Sequence, residues 1–157
     1  MILHILKPEA EDYNKLTEIC QTANKHWGYP DYLLDLWKEE LTVTPRYIRN
    51  NTLLKAQNEH GEIFGFGSII NVNGNGVYEI KHLWISPDCC NKHVGRLLLE
   101  NLEKLTSNKT TIKVIADPNM ISFYQKNGYQ KVGEVERKPD GGKLPVLKKI
   151  IQRVSEN

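Results

Sequence analysis

Residues 83–100 read Leu-Trp-Ile-Ser-Pro-Asp-Cys-Cys-Asn-Lys-His-Val-Gly-Arg-Leu-Leu-Leu-Glu, and this stretch constrains the fold more than any other. An apolar run stops at Ser86-Pro87, a polar loop follows, and a helical pattern starts near His93. Val94, Leu97, Leu98, Leu102 and Leu105 fall on one face of an α-helix. Strand, short loop and helix N-terminus together make an anion site, because first-turn amides lack intrahelical partners and the macrodipole adds positive charge there. Gly95 permits close approach to the backbone. Lys92 and Arg96 add full positive charges, so a phosphate or pyrophosphate is the natural guest.

The chain has 157 residues, which fits one domain over residues 1–157. Lysine and arginine number 21 against 19 acidic residues, a balance of +2 that argues for neither nucleic acid nor an anionic membrane as partner. The N-terminal residues lack the basic start of a signal peptide, and no apolar run approaches the roughly 20 residues of a membrane span. Three cysteines, Cys20, Cys89 and Cys90, form no disulfide framework and fit a reducing cytoplasm. Adjacent Cys89 and Cys90, with His82 and His93 nearby, lack the spacing of zinc ligands, so no metal is expected. A helix N-terminus would instead lower the Cys90 thiol pKa.

Residues 2–6 read as a first strand, and Pro8 suits the first position of a helix. Leu16, Ile19, Cys20, Ala23 and Trp27 recur at helical spacing up to Gly28. Pro30-Asp31 opens a second helix striped by Leu33, Leu36, Trp37 and Leu41, which Thr44-Pro45-Arg46 breaks. Residues 46–51 take no assignment. Strands follow at Thr52–Gln57, Ile63–Val72 and Val77–Ile85, the last two joined by the hairpin signal Asn73-Gly74-Asn75-Gly76. A helix over 93–107, a β-branched strand Thr110–Ala116, a helix from Asp117-Pro118 to Asn127 stopped by Gly128, and strands Tyr129–Glu136 and Leu144–Ile151 complete the chain. The order is one mixed α/β domain.

Two blocks resemble the GNAT N-acyltransferase superfamily. Leu83, Ile85, Pro87, Gly95, Leu97 and Leu98 match its acyl-CoA signature, although Cys90 replaces the usual Arg or Gln and His93 the usual first Gly. A side chain at 93 crowds the pyrophosphate's approach to the backbone, or donates to it if turned outward. Ala116-Asp117-Pro118-Asn119-Met120-Ile121-Ser122-Phe123-Tyr124-Gln125-Lys126-Asn127-Gly128-Tyr129, then Val132-Gly133-Glu134, resembles the family's Phe-Tyr-x-x-x-Gly-Phe segment. Together the matches cover roughly residues 60 to 150. The resemblance implies a central mixed, mostly antiparallel twisted sheet of six to seven strands flanked by about four helices. It implies acetyl-CoA as co-substrate, a small-molecule or exposed amine as acceptor, no metal, and a homodimer as a common assembly.

Site residues follow from the same resemblance. Cys90, Asn91, Lys92, His93, Val94, Gly95 and Arg96 would hold the pyrophosphate. The backbones of Leu83, Trp84 and Ile85 would pair with the pantetheine amides and supply an oxyanion donor. Asp117, Asn119 and Tyr124 would complete the cofactor contacts. Met120, Phe123 and Tyr124 share a helix face, the usual place of core aromatics, yet a packed ring can still turn its hydroxyl to a site. The family role of that hydroxyl is to protonate the departing thiolate. Glu79, Lys81 and His82 interrupt a strand that should read as apolar; its beginning could simply face water, or the Glu79 carboxylate, with burial-raised pKa, could take the proton of the attacking amine. His82 stands in reserve for that role. Trp27 and Tyr32, near the turn between the first two helices, would line the acceptor, whereas Trp37 belongs to the core. The degenerate loop leaves a second reading, a GNAT-fold module that binds acyl-CoA or a partner with weakened turnover.

Overall fold

A computed structural model describes residues 2–72, 74–89, 93–137 and 140–152. The elements in chain order are β1 (Leu3–Leu6), α1 (Tyr13–His26), α2 (Asp31–Leu36), α3 (Pro45–Asn50), β2 (Thr52–Asn58), β3 (Ile63–Asn71), β4 (Val77–Ile85), α4 (Val94–Lys104), β5 (Thr110–Ile115), α5 (Ile121–Lys126), β6 (Gln130–Glu136) and β7 (Lys143–Ile151). Seven strands form a mixed sheet in the order β1-β2-β3-β4-β5-β7-β6, and β4 with β5 is a parallel pair. The sheet agrees with the expectation, and α3 adds a fifth helix to the four expected.

Local departures have physical reasons. Pro8 does not start a helix: Ala10–Asp12 forms a 3-10 turn, entered through a capping box between Glu9 and Asp12, and α1 begins at Tyr13. Thr44-Pro45 ends nothing. It starts α3, with Thr44 Oγ1 accepting from Tyr47 N at 3.0 Å and Pro45 in the first turn, where no amide is missed. The helix over 118–127 divides into a 3-10 turn, Pro118–Met120, and the six-residue α5.

The chain divides into two compact units, Met1–Ser68 with His82–Leu102, and Ile69–Lys81 with Glu103–Asn157. In the first, β1 runs antiparallel to β2 from Leu3↔Asn58 to Leu6↔Lys55. Leu16, Ile19 and Cys20 of α1 pack with Trp37, Leu41, Val43, Ile48, Leu53, Ile63 and Phe66 in one buried cluster. That packing is what the 3.6-residue stripe of α1 encodes. Thr17 Oγ1 donates to Val43 O (3.1 Å) and accepts from Val43 N (2.8 Å), fixing the segment after α2 against α1. The buried Lys55 ammonium is met by Asp12 at 2.8 Å. Helix α4 lies tightly on β3 and β4. A Cβ at Gly65 would be 2.8 Å from Ile85 Cδ1 and 2.9 Å from Trp84 O, and one at Gly67 2.7 Å from Leu102 Cδ1.

In the second unit β5 is central. It pairs in parallel with β4 from Val77↔Thr111 to Ile80↔Val114, and antiparallel with β7 from Thr110↔Ile151 to Ile115↔Val146. Strand β6 pairs with β7 through a register shift between Lys131 and Gly133. Every residue of β6 is exposed, as befits a charged, bulged edge strand. Ile112, Val114 and Leu147 form the apolar side of this unit.

Candidate functional site

Tyr124 sits in α5, whose six residues are too few for a helix to persist by itself. The Tyr124 ring meets Phe123 edge-on at 5.2 Å and Tyr129 at 5.4 Å between centroids. The residue is 3% exposed. Among the described residues its hydroxyl has no hydrogen-bond partner, and no sealed polar side-chain atom among them lacks one. The oxygen therefore breaks the surface at the end of a buried ring. Burial pushes the phenol well above its ordinary pKa, so at neutral pH it is a proton donor.

Glu79, on β4, stands opposite Lys113 of β5 in the parallel ladder. It is 6% exposed, and its oxygens lie 2.6 Å from Lys81 Nζ and 3.1 Å from Lys113 Nζ. Burial pulls its pKa upward, but the two lysine hydrogen bonds and charges outweigh burial and hold the carboxyl below its ordinary value. This corrects the expectation of a raised pKa. The ion triad makes Glu79 an ionised, weak base.

The β4–β5 ladder stops at Ile80↔Val114, and β4 runs on to Ile85. Just after β5, Ala116 N donates to Pro145 O at 3.0 Å. Within residues 82–85, Leu83 is buried and Trp84 packs against the buried cluster around α1. The Trp84 indole N–H donates to His82 Nδ1 at 3.0 Å. Neutral His82 therefore carries its proton on Nε2, which makes that nitrogen a donor and unsuits the ring as a base. Tyr47 meets the His82 ring edge-on at 5.6 Å, and its hydroxyl is hydrogen-bonded to the buried Ser68 Oγ at 3.0 Å. The cluster Tyr47, Ser68, His82, Trp84 escapes a linear reading because α3 was not assigned. Thr44-Pro45, an N-cap residue followed by a first-turn proline, is the signal that could have placed Tyr47 on a helix.

The predicted anion site is described in part. Cys90, Asn91 and Lys92 lie outside the described residues. His93 O accepts from Leu97 N at 2.9 Å, so α4 takes its first turn at Val94, Gly95 and Arg96, the first two buried. Arg96 pairs with Glu100 at 3.6 Å, one turn down the helix and away from its N-terminus. Asp117 is an N-cap: its Oδ1 accepts from the amide and the side chain of Asn119, both at 2.8 Å, and Arg137 lies 3.9 Å from its Oδ2. Trp27 and Tyr32 are exposed at the α1–α2 connection, Tyr32 to 66%. Trp37 is core, with Tyr29 edge-on at 5.1 Å. Buried Cys20 is held as a thiol by desolvation. Among the described residues no group of His, Cys, Asp and Glu is placed to hold a metal, and no helix is long and apolar enough to cross a membrane.

The family model of the acetyltransferase (GNAT) domain matches residues 15–145. No curated protein sequence matches the chain. Among solved structures, PaiA N-acetyltransferase from Thermoplasma acidophilum in complex with coenzyme A is 20% identical with a TM-score of 0.74, over 96% of this chain and 99% of that one. A GNAT-family acetyltransferase from Staphylococcus aureus is 19% identical, TM-score 0.67, over 96% and 100%. N-acetylglutamate synthase from Neisseria gonorrhoeae, complexed with coenzyme A and N-acetyl-glutamate, is 14% identical, TM-score 0.69, over 98% of this chain and 36% of that one. These likenesses establish the fold.

Proposed function

Because this chain belongs to the GNAT acetyltransferase family, we propose that it is a cytoplasmic N-acetyltransferase moving an acetyl group from acetyl-CoA to a primary amine by direct attack. The placement of Tyr124 is the observation that carries the reading: a neutral phenol whose hydroxyl reaches the surface with no internal hydrogen bond to give up. The residues also suit the co-substrate. Helix α4 is 11 residues long, its first turn holds the small Gly95, and first-turn amides suit a pyrophosphate.

The neutral amine nitrogen attacks the thioester carbonyl, the tetrahedral adduct expels the CoA thiolate, and Tyr124 gives that thiolate its proton. The proton the nitrogen sheds on becoming an amide returns through water to the Tyr124 phenolate. The β4 residues Leu83, Trp84 and Ile85 continue past the β5 ladder, which suits them to pairing with pantetheine amides and to supporting the oxyanion. Glu79, ionised between Lys81 and Lys113, is too weak a base to keep the proton the amine gives up and hands it on to water. Trp27 and Tyr32 offer exposed aromatic surface to the acceptor.

Calorimetry with acetyl-CoA, followed by a free-thiol assay across a panel of amines, tests the proposal. Micromolar binding with amine-dependent thiol release is the expected result. Binding without release on any amine turns the reading to a GNAT-fold acyl-CoA-binding module, which the lysine-clamped Glu79 favours. No binding defeats both.

A further inference from the structure

Behind Tyr124 lies a polar network that acetyl transfer does not use. Tyr129 follows α5, and its backbone N–H donates to Tyr124 O at 3.0 Å while its ring packs edge-on against the Tyr124 ring at 5.4 Å. The Tyr129 hydroxyl donates to Glu103 Oε2 at 2.8 Å, from the C-terminal turn of α4. Lys149 of β7 closes the network. Its Nζ lies 3.1 and 3.2 Å from the two Glu103 oxygens, donates to Asn127 O at 2.9 Å, and stands 5.5 Å from the centre of the Tyr129 ring. Gly128, at φ +94°, makes room for this lysine, since a Cβ there would be 3.2 Å from Lys149 Cε.

We propose that Glu103 and Lys149, acting through Tyr129, are positioning residues for the Tyr124 hydroxyl; this rests on the acetyl-transfer reading. Three observations support it. A six-residue helix cannot hold a side chain's position by itself, so the place of Tyr124 is imposed by its neighbours. Its hydroxyl makes no hydrogen bond that would orient it, leaving ring contacts and the Asn127 and Tyr129 amides on its carbonyl as the restraints. A phenylalanine at 129 would satisfy packing alone, yet the residue there is a tyrosine whose hydroxyl is held by the part-buried Glu103–Lys149 pair. The network joins Glu103 to β7 and the α5–β6 turn, and an acid must be held within about half an ångström of its productive geometry.

The test uses Tyr129→Phe and Glu103→Gln, each alone and combined with Tyr124→Phe. With acetyl-CoA and the best amine from a panel of amino acids, diamines and peptide N-termini, each single variant should lower kcat about five- to tenfold and leave KM for acetyl-CoA within about twofold. In the Tyr124→Phe background neither change should lower kcat further. In ligand-free protein carrying 13C-labelled tyrosine, Tyr129→Phe and Glu103→Gln should each move the Tyr124 ring resonance. An unmoved Tyr124 resonance overturns the proposal, as does an equal kcat loss without the Tyr124 hydroxyl, or a KM that rises in step. If the wild-type protein releases no thiol with any amine, the acetyl-transfer reading falls, and with it the proposed role in catalysis; the resonance then reports on ring positioning alone. Should Glu103→Gln fail to fold, Tyr129→Phe, which keeps the Glu103–Lys149 pair, gives both readouts.

Discussion

Glu79 of β4 and Lys113 of β5 face each other across the parallel ladder, carboxylate to ammonium at 3.1 Å. With Lys81 on the other oxygen, the pair fixes the protonation of Glu79 and leaves the cluster with one excess positive charge. A carboxylate interrupting an apolar strand suggests a raised pKa. Its neighbours in space reverse the sign.

The sign has a consequence for stability. A carboxyl whose pKa is depressed in the fold contributes stability at pH above its ordinary value of 4.5 and loses it as pH falls below that. Glu79→Gln should therefore cost about 1–2 kcal/mol at neutral pH, where it leaves two lysines without their carboxylate. The gap should be smaller at pH 3, below the ordinary carboxyl value, than at neutral pH. Urea unfolding at both pH values checks this; an equal gap at each would show that the ion triad does not act.

Removing the Tyr124 hydroxyl breaks no internal hydrogen bond. Tyr124→Phe should thus leave the melting temperature nearly unchanged while lowering kcat by about a hundredfold or more, the scale of a lost general acid. Steady-state kinetics beside a thermal melt decide it, and a wild-type kcat would remove Tyr124 from the mechanism.

The glycines of β3 let α4 close on the sheet. Gly65→Ala places a Cβ 2.9 Å from Trp84 O, a backbone atom that cannot rotate away, and 2.8 Å from Ile85 Cδ1. Overpacking of this kind should cost about 1–3 kcal/mol. Gly133→Ala on β6, with nothing within 4 Å, is the control and should be close to neutral. Similar unfolding midpoints for the two variants would contradict the close approach of β4 to Gly65.

Helix α3 depends on its cap. Thr44→Ala removes the acceptor for Tyr47 N and should destabilise the protein by about 1 kcal/mol, with Thr44→Ser nearly neutral. Chemical denaturation of the two variants measures the difference.

How far the sequence could be read follows from the range of the forces involved. Helix α4 was legible because its leucines repeat every 3.6 residues, and the β3–β4 hairpin because Asn and Gly accept positive φ, as Gly74 and Gly76 do. Tyr124, the candidate acid, was legible from a local block of sequence, and its short helix closes at Gly128 with φ +94° as expected. Helix α3 was not, since six residues show no periodic stripe and its proline reads as readily as a break.

Short-range chemistry, then, determined the order of elements: periodicity, caps and turn glycines act within a few residues, so they are written in the linear chain. The residues worth testing, Tyr124 first among them, were named by the resemblance of local blocks to the GNAT family. Only the tertiary structure decided what those residues are chemically. Lys113, 34 positions beyond Glu79 in sequence, holds that carboxyl ionised. The Trp84 indole sets the His82 tautomer, and Glu103 and Lys149 support the ring beneath Tyr124. Charge and hydrogen bonding act through space, and folding chooses which groups share it.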